Sequence, residues 1–295
     1  MEQQTKCGYV GIMGLPNAGK STFINTLIKE KISIVSDKSQ TTRDMNIGIL
    51  TRESVQIGFL DLPGVHKPKH ELNRRMMKIV HQGLDDSDLI LHIVDATSKK
   101  FSGDKYISHL IKQKELPYIL VVNKIDLVNK HKLIEKLERF QHLLEPDEMI
   151  PISALTGENT DRLLELITPH LPDSEFLFPL DEYTNQSVRT LVKETVRERV
   201  LHYTRDEIPH ATTVELEEFT FDEEEDCFFI AAMIYVEKPS QRRILIGSNG
   251  SMIKKMKNGL NNKLKKILLK PVYCELHVKV KKDWRNLDSF LDRLH

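Results

Sequence analysis

The chain reads as an α/β domain on a mostly parallel sheet with helices on both faces, followed by a smaller α+β domain. Three observations carry this. Up to about residue 171, short and nearly continuous apolar runs alternate with helical stretches. Such runs are strands covered on both faces, and the alternation implies right-handed crossovers. From residue 188 the order changes to helix, strand, strand, helix, helix, strand. Finally, 295 residues with 40% hydrophobic content suffice for about two cores at roughly 150 residues per domain.

Strands are expected at 9–13, 47–50, 55–60, 89–94, 118–122 and 149–152, and helices at 21–28, 72–86, 104–113, 131–144 and 160–170. The short gap at 51–54 makes the second and third strands an antiparallel hairpin. Segment 172–187 carries Pro172 and Pro179 among polar and aromatic residues and reads as a linker, placing the domains at 1–171 and 188–295. The second domain is expected as helix 188–203, strands 212–221 and 227–236 joined by the charged tip FDEEED, helices 241–246 and 251–269, and strand 272–280. Trp284 reads as an anchor for that last strand in preference to a platform on which a base stacks.

Composition excludes several classes. The longest apolar stretch, 227–236, is too short for a helix crossing a bilayer, which needs about 20 residues. The opening residues lack a basic segment followed by an apolar core, so no secretory leader is expected. Cys7, Cys227 and Cys274 are scattered and fit reduced thiols in a cytosolic protein. His66 and His70 lie in a Pro/Lys-rich loop and carry no metal-site expectation. The balance of 43 basic against 43 acidic residues hides an asymmetry. Residues 242–285 carry thirteen bases against two acids, a net +11, whereas 215–226 carries eight acids and no base. A one-sided excess in so short a segment points to a polyanionic partner.

Gly14-Leu15-Pro16-Asn17-Ala18-Gly19-Lys20-Ser21 fits GxxxxGK[ST] between an expected strand and an expected helix. Its glycines let backbone N–H groups converge on a β-phosphate, and the helix beyond adds its positive end. Lys20 is expected to bridge the β- and γ-phosphates and the Ser21 hydroxyl to ligate Mg²⁺; Thr22 completes the loop's binding set. The base is named by Asn123-Lys124-Ile125-Asp126. A carboxylate at Asp126 accepts from both N1–H and the exocyclic amine of guanine, and adenine would leave it unpaired. Ser153-Ala154-Leu155 supplies a backbone N–H to the guanine oxygen in such sites. Asp61-Leu62-Pro63-Gly64 ends the third strand: Asp61 can hold Mg²⁺ through water, and Gly64 can offer its N–H to the γ-phosphate. The loop Gln40-Thr41-Thr42-Arg43-Asp44 supplies a threonine for the same metal. In this order the elements are those of a GTPase; a P-loop kinase or ATPase is disfavoured by the NKID run.

Ile246-Gly247-Ser248-Asn249-Gly250 places a GxxG turn between two expected helices. Alone it is an ordinary helix cap. Within the order α-β-β-α-α-β it is the turn of a type II KH domain, which presses its backbone against about four unpaired nucleotides. Lysine is common between these glycines, and Ser248 and Asn249 stand there instead. Phosphate contacts are therefore expected from Lys254 and Lys255, with Arg242 or Arg243.

QTTRD, DLPGVHKPKH, EIPH at 207–210 and VKVKKDWR at 278–285 make the whole chain similar to the Era family of bacterial ribosome-assembly GTPases. That resemblance implies a cytoplasmic GTPase that binds GTP, GDP and Mg²⁺. It further implies contact with small-subunit (16S) ribosomal RNA near its 3′ end during 30S assembly, a monomer being expected and DNA not. It places the Mg²⁺ threonine at Thr42 and offers Asn17 as a holder of K⁺. The group acting on the γ-phosphate would then be Lys20, Thr42, Asp61, Gly64 and Asn17. Val65 occupies the position where Ras-like enzymes carry their water-orienting glutamine, so slow intrinsic turnover is expected. The competing expectation is a membrane- or division-associated signalling GTPase whose basic face meets anionic lipid.

Overall fold

The computed structural model describes residues 5–30, 33, 42–65 and 70–294. Gln40, Thr41 and His66, named above, lie outside the described residues. The chain forms two units that change over between Asn185 and Gln186.

In the first unit β1 (Lys6–Met13), β2 (Asn46–Arg52), β3 (Val55–Asp61), β4 (Leu89–Asp95), β5 (Tyr118–Asn123) and β6 (Glu148–Pro151) form one sheet in the order β2-β3-β1-β4-β5-β6. Only β2 runs antiparallel, through its hairpin with β3. Alternate residues of each strand serve opposite faces. Val10, Ile57, Leu91 and Val121 pack with Phe23 and Leu163 of α1 (Lys20–Ile28) and α5 (Thr160–Ile167). Leu60, Ile90, Val94 and Leu120 pack with Val80, Ile107 and Phe140 of α2 (Glu71–Asp85), α3 (Ser102–Lys112) and α4 (Lys130–Leu144). His92, in the middle of β4, is wholly buried, 3.0 Å through Nδ1 from the Tyr118 hydroxyl and 3.5 Å through Nε2 from Asp104 of α3. Burial pushes its imidazole below the ordinary histidine pKa.

Residues 172–185, expected as linker, are hydrogen-bonded to this sheet. Gln56 of β3 is fully buried and acts as a bracket: its Oε1 accepts from the Leu177 and Phe178 N–H groups, both at 2.9 Å, and its Nε2 donates to Phe178 O at 2.8 Å. Farther along, Ile49 N–H donates to Tyr183 O at 2.9 Å, and Gly48 forms an antiparallel bridge with Thr184. Ile47 N–H donates to Asn185 Oδ1 at 3.1 Å. The segment thus occupies the open edge of β2, which would otherwise expose unpaired backbone groups.

The second unit runs α6 (Val188–Tyr203), β7 (Thr213–Asp222), β8 (Cys227–Val236), α7 (Pro239–Ile246), α8 (Ser251–Leu268), β9 (Val272–Val280) and α9 (Asp288–Leu294). Its sheet has the order β7-β8-β9, antiparallel then parallel. Val196, Ile234, Leu245, Met256, Leu260 and Cys274 form its core. Ser187 caps α6 by accepting from Thr190 N–H at 3.1 Å. Trp284 is fully buried and donates from Nε1 to Ala211 O at 2.9 Å, so it is an anchor. The sequence reading missed α9; Phe290 and Leu291 are its only deeply buried residues, too few to make a helical period legible.

Replacing Gln56 with Ala removes the buried partner of two amide donors and a carbonyl. We expect a loss of about 2–4 kcal/mol in urea unfolding followed by far-UV circular dichroism, with new protease cuts inside 172–185. An unchanged cleavage pattern would show that the bracket does not hold the segment.

Candidate functional site

The loop after β1 begins at Gly14, whose φ is +156°; a Cβ there would overlap the Ile93 carbonyl oxygen of β4. Gly19 caps α1 at φ +102°, and a Cβ there would overlap the Asn123 amide. Both glycines are therefore demanded by conformation and by space. Asn17, at the loop's tip, is exposed with φ +66°, whereas Gly14 and Ala18 are buried and Leu15, Pro16, Gly19, Ser21 and Thr22 partly so. Lys20 is buried inside the loop, its Nζ donating to Gly14 O at 3.0 Å and Leu15 O at 3.3 Å.

Three oxygen-bearing side chains converge beside it. Asp61, at the end of β3, is fully buried and accepts through Oδ2 from Ser21 Oγ at 3.3 Å and Thr42 Oγ1 at 3.4 Å. Those two hydroxyls are 3.5 Å apart. Asp61 Oδ1 is buried with no hydrogen-bond partner among the described residues. A carboxylate oxygen without a partner next to two hydroxyls is a hard-oxygen donor set that fits Mg²⁺. Burial pushes the Asp61 carboxyl above its ordinary pKa and the Lys20 ammonium below its own; their mutual attraction offsets only part of each shift. Burying both groups in their charged forms is costly. Leu62, Pro63 and Gly64 continue from Asp61 as buried residues, and a Cβ on Gly64 would sit 3.2 Å from Pro16 Cγ. Val65 is 3% exposed and belongs to the core, so it offers nothing to a water.

On the far side of the loop, Asn123 is 1% exposed and ties three segments together. Its Nδ2 donates to Ala18 O at 2.8 Å, and its Oδ1 accepts from Ala154 N–H at 2.9 Å and Lys124 N–H at 2.7 Å. Lys124 takes a left-handed backbone, φ +67°, and its Nζ pairs with Asp95 Oδ2 at 2.6 Å. Asp126 is exposed, and its Oδ1 accepts from Ser153 Oγ at 2.6 Å. Ser153 and Ala154 are buried and Leu155 is 75% exposed. Sequence reading missed two supports: Thr26 of α1, donating to Ala154 O at 2.7 Å, and Asp95. Asp95 followed two residues later by Thr97 at a strand end was the legible sign of an Asx turn.

In the second unit the turn between α7 and α8 is Gly247 (φ +73°), Ser248, Asn249 (φ +49°) and Gly250 (φ +75°), after half-buried Ile246. A Cβ at Gly247 would lie 2.7 Å from Met252 N. Lys254 and Lys255 are exposed on the first turns of α8, and Arg242 donates from Nε to Val278 O at 3.1 Å. Part of the basic excess is consumed within the unit, since Lys263, Lys270 and Arg285 pair with Glu198, Asp226 and Glu237. Among the described residues no cluster of three His, Cys, Asp or Glu suits a metal, and no helix is long and apolar enough to cross a membrane.

Residues 9–124 match the family model described as 50S ribosome-binding GTPase, and residues 207–285 match that of the KH domain. The chain is 37% identical, over 98% of both chains and with a TM-score of 0.93, to Era solved in complex with MgGDPNP and nucleotides 1506–1542 of 16S ribosomal RNA. It is 36% identical, over 98% of its own length and 99% of the other's and with a TM-score of 0.93, to a single-residue variant of Aquifex aeolicus Era bound to GDP.AlF4⁻.

A metal held by Asp61 would need the carboxylate, so protonation would compete with it as pH falls toward the raised pKa. We expect Mg²⁺ affinity of the GDP-bound protein to weaken between pH 7 and pH 5 more than that of free GDP. Isothermal titration at the two pH values measures this, and parallel losses would refute it.

Proposed function

The chain belongs to the Era family of GTPases, with a KH domain as its second unit, and on that premise we propose that it couples GTP hydrolysis to binding of small-subunit ribosomal RNA near its 3′ end during 30S assembly. The observation that carries the RNA half is the GxxG turn: two glycines held at positive φ beside exposed Lys254 and Lys255. Both lie in a chain similar over nearly its whole length to a solved Era–RNA complex.

The chemistry falls to the residues at one edge of the first sheet. The loop 14–19 wraps phosphate oxygens in backbone N–H groups, with Leu15, Pro16 and Ala18 shaping the wrap. Lys20 leaves the Gly14 and Leu15 carbonyls to neutralise the β- and γ-phosphates. Ser21 and Thr42 hold Mg²⁺ directly and Asp61 through water; the metal, when bound, neutralises charge developing on the phosphates. Gly64 N–H reports the γ-phosphate to the segment that follows Asp61. Asp126 takes the N1–H and amine of guanine, Ser153 orients that carboxylate, and the 153–155 loop offers a backbone N–H to the guanine oxygen. Lys124 flanks the base, and Asn123 fixes the distance between the base and phosphate ends.

Hydrolysis by the isolated protein is slow because Val65 can neither donate nor accept. Asn17, at the exposed loop tip, would supply the compensating element by holding K⁺, which would stabilise the charge developing in the transition state. We expect kcat to be higher in KCl than in NaCl at equal ionic strength, and the difference to vanish in Asn17→Ala. Equal rates in both salts would remove K⁺ from the mechanism.

RNA affinity should follow phosphate neutralisation. With about four contacts the log–log salt slope is about −3, and affinity falls about fifty-fold between 50 and 200 mM salt. Filter binding should also separate the protein loaded with a non-hydrolysable GTP analogue from the GDP form. Substituting Asp at both Ser248 and Asn249 should abolish RNA binding. A flat salt response, or identical affinity in both nucleotide states, would sink the coupling.

A further inference from the structure

Lys124 is one cation between two acids. Asp126 lies two residues ahead of it, and Asp95 faces it from the neighbouring strand, where Asp95 and Asn123 are register partners. Asp95 is prearranged for the pairing. Its Oδ1 accepts both the N–H and the hydroxyl of Thr97, each at 2.7 Å, leaving Oδ2 aimed at Lys124 Nζ, 2.6 Å away. The turn carrying it is fixed at both sides: Ala96 N–H donates to Asn123 O at 2.8 Å, and Lys136 of α4 donates to the Ala96 and Ser98 carbonyls. Asp95 and Lys124 are 22% and 29% exposed, whereas Asp126 stands in solvent. Partial burial strengthens the first pairing, and water screens any pairing with Asp126.

We propose that Asp95 is a specificity-determining positioning residue: by holding the Lys124 ammonium it keeps the Asp126 carboxylate open for the base edge. Without it, Asp126, two residues along the chain, is a carboxylate to which the Lys124 ammonium can turn. An ammonium bridging the carboxylate would compete with N1–H and the exocyclic amine of guanine for its oxygens, one of which already accepts from Ser153 Oγ. The pinned ammonium also stretches the Lys124 stem, leaving its methylenes as a fixed apolar flank beside the base. The inference rests on Asp126 being the base-edge acceptor.

The experiment measures Kd of GTP and of ITP for the full chain by displacement of a fluorescent GDP. Hypoxanthine keeps N1–H and lacks the amine, so the GTP:ITP preference reads how open Asp126 is. In Asp95→Asn we expect that preference to fall about tenfold, the worth of a hydrogen bond to a charged group. In Asp95→Asn/Lys124→Met, where no cation competes, it should return to within about threefold of the parent. Lys124→Met alone, with Asp95 intact, measures what the lysine itself contributes to the preference, so the double variant is compared with it as well as with the parent. A parent-like preference in Asp95→Asn overturns the proposal, and so does a double variant as unselective as the single one, since that marks a role in packing only. Asp126→Asn separates the two layers: if it keeps the GTP preference, the base-edge reading of Asp126 itself fails.

Discussion

The hydrogen bond from Asn123 Nδ2 to Ala18 O is the constraint on which the first unit's site depends. A parallel sheet delivers the carboxyl ends of its strands to one edge, and that edge is where β1, β3, β4 and β5 release the loops described above. Delivery alone does not fix distances between loops. Asn123 does so because a primary amide donates and accepts at once: it holds the phosphate loop through Ala18, the 153–155 loop through Ala154, and its own successor through Lys124. The glycine at 19 is the other half of the arrangement, since any side chain there would occupy the amide's place.

Lys20 and Asp61 are buried together. The ammonium leans on carbonyl oxygens and one Asp61 oxygen has no donor among the described residues. A phosphate and a metal would bring opposite charges to this buried pair. The basic face of the second unit follows a different logic. Its lysines at 254 and 255 stay in water, whereas other bases of the same segment are neutralised by acids of their own unit. Counting charge along a sequence overstates the field that a partner meets.

The two-unit plan, the sheet with its single hairpin and the order of the second unit were legible because they rest on local signals: apolar periodicity, turn glycines and strand-to-helix spacing. What escaped rests on single contacts. Gln56 reads as a polar residue in a strand, and nothing near it says that residues 177 and 178 will supply its partners. His92 interrupts the apolar run LILHIVD, and its acceptability depends on Tyr118 and Asp104, which arrive from other elements. Helix α9 is too short to show a period, and the segment 172–185 looked like linker because its hydrogen bonds go to a strand far away in sequence.

By itself the sequence determined which chemistry is present: a lysine and serine behind a glycine loop, an acid ending a strand, an Asn-Lys-x-Asp run, and two glycines between helices. These are fixed by covalent spacing within a few residues, and spacing survives without coordinates. Only the tertiary structure decided how the charges are shared. Asp61 meets Ser21 and Thr42 across two loops, and Lys124 turns to Asp95 across a strand pair. Electrostatic partnership falls with distance in space and is indifferent to distance along the chain, so no reading of residue order could assign it.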